Sequence, residues 1–385
     1  MERSKINAVE VERIRAEPPL PYKERTPVNR VIAVHGRKTA KPRPFPVNVT
    51  MIGGRLYLCS STRRRDWVRN LLATGGCVIE GDEDGPRHPV LVEGREAAGV
   101  LAAYLSSSGY QDPELPFAPD ASPEEILPHT TETAVFRLDP VRYFPGRDGV
   151  RLAYRELAHR EPGEGRPVVL LHGYLANAGW SWSRLAPELA ARGRRVIMPD
   201  LRGHGDSAKP HDPDAYPRDV LVDDGLALVE HLELTDYDLV GYSFGGRTAV
   251  RMLARGATPA RAVVAGQGLE AVLHSEGRGS QYRDILARLA SGGPPAPEAR
   301  WLVNLGADPR ALLLVLDSFI NTTREELARV TVPTLVVTGD GDGHNETAPA
   351  LAEALGNARY LEVPGDHVRA ASAPEFHRAI FEFLG

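Results

Sequence analysis

The sequence predicts a chain of two unlike parts: a small β-rich domain, then a larger α/β domain whose parallel sheet is covered on both faces. Three observations carry that reading. From about Tyr143, hydrophobic runs of strand length alternate with stretches of helical period, the pattern of a buried parallel sheet. Residues 30–140 instead carry short β-type runs separated by Gly- and Asp-rich punctuation. The length of 385 residues fits two or three domains against a soft norm of about 150 residues each.

Taken in order, residues 1–27 are charged and contain Pro18-Pro19-Leu20-Pro21, so they read as an arm or short amphipathic helix followed by a stiff link. The first domain is expected over 28–142. Its strands are predicted at Arg30 to His35, Val47 to Ile52, Arg55 to Cys59, Cys77 to Glu80, Pro89 to Gly94 and Thr133 to Leu138. Gly53-Gly54 and the run from Gly81 to Gly85 supply the positive φ that hairpin turns require. A helix is predicted from Trp67 to Thr74. The second domain, 143–385, has predicted strands at Val150 to Arg155, Pro167 to Leu171, Arg195 to Met198, Asp238 to Tyr242, Ala260 to Ala265, Thr334 to Thr338 and Arg359 to Val363. Helical periodicity fills Trp182 to Arg192, Tyr216 to Leu232, Arg247 to Arg255 and Pro374 to Leu384. Residues 267–327 interrupt the alternation with mostly helical sequence, as a helical lid would. There is no internal repeat.

Composition excludes several classes. With 42% hydrophobic residues the chain can fill real cores, which argues against disorder. The net charge of −5 conceals an asymmetry: residues 1–70 hold 16 Lys+Arg against 6 Asp+Glu, a basic segment suited to an anionic ligand. Beyond Trp67 that segment lacks the aromatic interleaving of single-strand platforms, so nucleic acid is not an expected partner. Two cysteines, Cys59 and Cys77, argue against a disulfide framework and fit a reducing compartment. No signal-like core or apolar run of about 18 residues appears, which leaves a cytoplasmic protein without a membrane partner as the expectation. Cysteines and histidines never reach ligand spacing, so no metal is expected.

The strongest chemical signal is Gly241-Tyr242-Ser243-Phe244-Gly245, directly after a hydrophobic strand and directly before a helix. Small residues on either side allow a strained turn that lifts the Ser243 hydroxyl above the sheet. A serine needs a base to become a nucleophile, and the base needs an orienting carboxylate. Gly339-Asp340-Gly341-Asp342 and Gly365-Asp366-His367 each follow a later predicted strand and supply them. His204 and His344 are rivals for the base, and Asp340 is a rival for the acid.

In its order of Ser243, Asp342 and His367, the chain resembles the α/β-hydrolase superfamily over about residues 143–385. Leu171-His172-Gly173-Tyr174 resembles that family's oxyanion-loop motif, and Pro199 to Ser207 (PDLRGHGDS) resembles its next loop. The resemblance implies Asp342 over Asp340, because the acid usually falls fourth in G-x-x-D. It also implies a structural role for His204, and oxyanion donors at the backbone N–H groups of Tyr174 and Phe244. The expected reaction is acyl transfer on a small-molecule carboxylic ester or lactone, with a thioester or a ring-cleavage diketone left open and no cofactor for the hydrolase. Serine at the elbow excludes the dehalogenases of this fold, which need a carboxylate there. Trp180, Trp182, Trp301, Leu302, Leu312, Leu313, Leu314, Leu316 and Phe319 are candidates for an acyl pocket or for the lid's own core.

The N-terminal basic residues form two clusters. One is Arg37, Lys38, Lys41 and Arg43 between two strands, readable as a solvated hairpin face; the other is Arg63, Arg64 and Arg65 opening the internal helix, where helix amides and guanidiniums suit a phosphate. Trp67 has two uses open to it, stacking on a flat ring or packing into the barrel. Gly36-Arg37-Lys38-Thr39, Pro42-Arg43, the strand from Leu56 to Cys59 leading into Ser60-Ser61, and Trp67 to Leu71 (WVRNL) together resemble the deazaflavin-dependent nitroreductase family. That resemblance implies a split β-barrel and the anionic deazaflavin coenzyme F-420, held by Arg37, Lys38, Lys41, Arg43, Arg63, Arg64, Arg65 and Trp67. Some members of that family place an aromatic over the substrate, for which Tyr110 is a candidate. Ala40 stands where the family usually has glycine. Two further readings stay open: a second, reductive activity on an enone or quinone-like compound, and a non-catalytic module through which the chain forms an oligomer.

Overall fold

A computed structural model describes residues 2–37, 41–109, 112–157, 165–274, 280–293, 302 and 307–385. The chain divides into one unit of Met1–Val141 and another of Arg142–Leu302 and Gly306–Gly385.

The first unit is a closed six-stranded antiparallel barrel: β1 (Pro27–His35), β2 (Pro42–Ile52), β3 (Arg55–Ser60), β4 (Cys77–Ile79), β5 (Pro86–Val92) and β6 (Ala134–Pro140), in the order β1-β2-β3-β6-β5-β4 and back to β1. Its helices are α1 (Glu2–Arg15), α2 (Asp66–Thr74), α3 (Gly94–Ser108) and α4 (Pro123–Ile126). Ile32, Val34, Phe45, Leu58, Leu71, Ile79 and Phe136 fill its core, each worth roughly 1.5–3 kcal/mol in buried apolar surface. Strand β2 starts five residues earlier than Val47 despite Pro42, Pro44 and Pro46. Alternate residues aim their amides to the same side, and β2 pairs with β1 alone until β3 joins at Val49, so the three missing N–H groups cost no ladder bond. The expected N-terminal arm is docked onto this unit: Val11 is buried, Arg15 pairs with Glu80 and Tyr22 donates to Asp82.

The same long-range pairing alters the electrostatics. Residues 71–141 hold 13 Asp+Glu against 3 Lys+Arg, which cancels the surplus of residues 1–70. Contacts of Arg15 with Glu80, Arg30 with Asp82, Arg63 with Glu93 and Arg65 with Asp112 realise that cancellation side chain by side chain. The basic segment is therefore not a free positive field, as the sequence suggested.

The second unit is an eight-stranded sheet of β7 (Arg142–Pro145), β8 (Arg151–Leu157), β9 (Gly165–Leu171), β10 (Arg194–Pro199), β11 (Asp238–Tyr242), β12 (Arg261–Ala265), β13 (Thr334–Gly339) and β14 (Ala358–Val363), ordered β14-β13-β12-β11-β9-β10-β8-β7. From β14 to β10 neighbours are parallel, and β8 and β7 close one edge antiparallel. The expected parallel sheet thus carries an antiparallel edge; four-residue β7 was too short to show periodicity. The helices are α5 (Ala178–Ser181), α6 (Leu185–Ala191), α7 (Val220–His231), α8 (Phe244–Ala254), α9 (Leu269–Leu273), α10 (Ser280–Ala290), α11 (Pro309–Asp317), α12 (Arg324–Ala328), α13 (Ala348–Ala354) and α14 (Pro374–Leu384). The helix predicted from Trp182 to Arg192 is the shorter α6, and a separate turn, α5, capped by Asn177 accepting from Trp180 N–H, precedes it. Helix α8 starts at Phe244 rather than Arg247, immediately after the candidate nucleophile.

Helices α9 to α12 occupy the 267–327 segment. Leu286, Leu302, Leu312 and Leu316 pack with Leu175 as a cluster of their own, with Leu313 and Phe319 against it, while Leu314 packs onto the main core. Trp182 is buried, Trp180 is partly exposed, and Trp301 lies outside the described residues. Among the described residues no helix is long and apolar enough to cross a membrane.

Candidate active site

Two glycines explain why the chain can turn so sharply after β11. A Cβ on Gly241 would collide with the carbonyl of Gly245, and one on Gly245 would collide with the carbonyl of Leu171. Between them Ser243 takes φ 53° and ψ −114°, a strained conformation for a residue with a side chain. The turn is held by Ser243 N–H donating to Ala265 O at 2.7 Å and by Gln267 Nε2 donating to Ser243 O at 2.6 Å.

The strand ends then bring three predicted residues together. His367 Nε2 lies 2.9 Å from Ser243 Oγ, and His367 Nδ1 lies 2.7 Å from Asp342 Oδ2. The Asp342 carboxylate is fully buried, which alone would push its pKa up; hydrogen bonds from His367 and Asn345 outweigh that, and the carboxyl sits below its ordinary value. A buried, ionised carboxylate holding Nδ1–H leaves Nε2 to accept from a hydroxyl.

The rivals are occupied elsewhere. Asp340 accepts from Gly365 N–H at 2.8 Å and braces the turn before His367. His344 is exposed. His204 is buried, donating from Nδ1 to Arg202 O and accepting at Nε2 from Leu175 N–H; burial, with His172 adding to it, pushes its pKa down to about 3. His172 is likewise a neutral strut, donating to Gly173 O and accepting from Leu201 N–H.

Tyr174 and Phe244 lie side by side, with ring centroids 5.0 Å apart, and a Cβ on Gly173 would stand 3.6 Å from Ser243 Cβ, so the 172–174 loop runs along the elbow. Tyr174 Oη donates to Leu312 O, tying that loop to α11. Below it, Asp200 binds Arg155 and accepts from the amides of Ala178 and Asp206. Burial would raise its pKa, yet Arg155 and those donors hold it at about 2.

Three contributors escaped the sequence reading. Asn345 Nδ2 donates to Asp342 Oδ2, Gln267 clamps the elbow carbonyl, and Tyr242 Oη donates to His367 O at 2.7 Å. Tyr242 alone carried a usable signal, as the variable residue of the elbow itself.

The match to a family model described as the alpha/beta hydrolase fold covers residues 166–276. A non-heme haloperoxidase of Rhodococcus erythropolis is 32% identical over 253 residues, spanning 54% of this chain and 88% of that protein. The chain belongs to the alpha/beta hydrolase family. Another relative of this hydrolase, the non-heme chloroperoxidase CPO-A1 of Kitasatospora aureofaciens, is 28% identical over 275 residues, spanning 62% of this chain and 97% of the relative. A solved hydrolase from Pseudomonas aeruginosa PA01 superposes with a TM-score of 0.51 at 25% identity, covering 64% of this chain and 98% of that one.

The N-terminal residues expected to hold a deazaflavin are placed differently. Arg37 pairs with Asp66 at 3.0 Å and donates to Asn70 Oδ1. Arg63 binds Glu93 and Thr133 O, and Arg65 binds Asp112 and Ser61. Arg64 is exposed, 4.0 Å from Glu114, and Lys41 and Arg43 are exposed at the start of β2. Lys38 and Tyr110 lie outside the described residues. Trp67 stacks on Phe45 at 5.1 Å and tilts against Phe136, so it packs in the barrel. Arg37, Arg63 and Arg65 are thus committed to carboxylates, whereas Arg64, Lys41 and Arg43 are exposed.

Proposed function

We propose that the hydrolase cleaves a small carboxylic ester or lactone through Ser243, His367 and Asp342. The observation that carries this reading is the unbroken hydrogen-bonded line from Ser243 Oγ through His367 to the buried Asp342. Ser243 gives its proton to His367 Nε2 as Oγ attacks the carbonyl carbon. The backbone N–H groups of Tyr174 and Phe244 receive the developing oxyanion. His367 returns the proton to the departing alkoxide, leaving an acyl-serine; it then takes a proton from the attacking water and passes it to Ser243 Oγ as the acid is released. Asp342 stays ionised throughout and stabilises the imidazolium. The helical 267–327 segment, joined to the oxyanion loop through Tyr174 and Leu312, serves as the lid.

Two relatives are named haloperoxidases, and the same acyl-serine supports a second acceptor. Hydrogen peroxide in place of water would release a peracid and free serine, with identical demands on His367. Labelling with a serine-reactive fluorophosphonate followed by peptide mass spectrometry tests the nucleophile: the adduct is expected on Ser243, and an adduct elsewhere, or none, contradicts the reading.

A further inference from the structure

The hydrolase unit has a second concavity whose lining shares no residue with the Ser243 site. It is a cleft of about 350 Å³ between α6 and the start of α14, lined by Arg184, Arg192, Arg378, Glu188, His377 and Ser372, with Pro374 and Phe381. Its volume lies near the lower end of the ~300–1,000 Å³ typical of ligand pockets, so it would hold a small molecule.

Cationic side chains outnumber carboxylates in this cleft. Arg155, Arg194, Arg202 and Arg251 each face a carboxylate. Arg184 and Arg378, by contrast, have no carboxylate or carbonyl partner among the described residues. The Arg192 guanidinium carbon lies 3.7 Å from the Phe381 ring centroid, and Arg192 donates to the backbone oxygen of Glu188. The cleft's one carboxylate, Glu188, is engaged by His377 Nδ1 at 3.1 Å. Three guanidiniums therefore line one cleft with a single, already occupied counter-charge. The eleven-residue helix α14 begins there with Pro374, which has no N–H, and the Phe376 and His377 amides already bond to Ala373 O.

We propose that this cleft binds a small phosphate-bearing anion. A phosphate group is largely dianionic near neutral pH and offers three oxygens. Planar guanidinium forks match those oxygens better than ammonium groups do, and the Ser372 hydroxyl adds a neutral donor. Arg192, pre-set by Phe381, loses little side-chain freedom on binding, while Arg184 and Arg378 close from the two helices.

Isothermal titration of the full-length protein with pyrophosphate, at constant ionic strength, tests the site. Saturable binding is expected. The Arg184→Gln/Arg378→Gln double variant should bind at least about tenfold more weakly, and citrate should bind the native protein at least about tenfold more weakly than pyrophosphate. Both substituted side chains are exposed, so the melting temperature without ligand should stay within about 2 °C of the native value. The single variant Arg378→Gln carries the same test, with a loss of about threefold. No saturable heat up to about 10 mM pyrophosphate, or undiminished affinity in the variants, overturns the site, since even weak complexes near 1 mM are measurable. Equal affinity for citrate overturns the phosphate assignment.

Discussion

Asn345 and His367 donate to the same oxygen of Asp342, from Nδ2 at 2.9 Å and Nδ1 at 2.7 Å, while the other Asp342 oxygen is buried with no hydrogen-bond partner among the described residues. The carboxylate is thereby turned so that one lone-pair edge faces both donors. Asn345 touches no reacting atom; it is a positioning residue.

Asn345→Ala removes one of the two donors and frees the carboxylate to rotate. Its expected effect is a fall in kcat of about tenfold with little change in KM, as for loss of an interaction used in the transition state. Asn345→Asp places a second carboxylate beside Asp342 and should cost more than the alanine. Steady-state kinetics on a chromogenic ester read both, and native kcat in Asn345→Ala would remove the positioning role.

The buried histidines set an acid limit on stability. His204 is held neutral in the fold with its pKa pushed down to about 3 by burial, and His172 is shifted in the same direction. Between the unfolded imidazole value and the folded one, the unfolded state binds more protons, so stability is fully present above roughly pH 6.5 and falls as pH drops, by up to about 1.4 kcal/mol per pH unit for each histidine. Chemical denaturation between about pH 7.5 and 5 should show that loss, and His204→Gln should show a shallower slope. Parallel slopes would mean that His204 can be protonated without cost.

Glycines in the two units should respond oppositely to alanine. Gly245→Ala sets a Cβ against the Leu171 carbonyl, backbone against backbone, so loss of soluble folded protein is expected. Gly99 lies within helical α3 with open space around its Cβ position, and Gly99→Ala should stabilise the barrel unit by about 0.4–1 kcal/mol. Thermal unfolding of both variants checks the pair.

Most of the site could be read in the sequence because each contributor directly follows a hydrophobic run: Ser243 after β11, Asp342 after β13 and His367 after β14. Local order along the chain sufficed there. The N-terminal electrostatics could not be read that way, because Arg63 meets Glu93 and Arg65 meets Asp112, partners 30 and 47 positions away whose approach only the closed barrel creates. Asn345 and Gln267 were silent for a different reason: an amide near a loop announces neither charge nor periodicity, and its value depends on which buried oxygen it reaches.

Turnover of a panel of small esters and lactones by purified Ser243→Ala tests directly whether Ser243 is the nucleophile of an acyl-transfer hydrolase. Loss of the nucleophile is expected to lower kcat by up to about 10⁶, against about 10²–10³ for loss of a single oxyanion donor. Circular dichroism and melting temperature should stay native. Undiminished ester or lactone turnover in that folded variant would rule out Ser243 as the nucleophile.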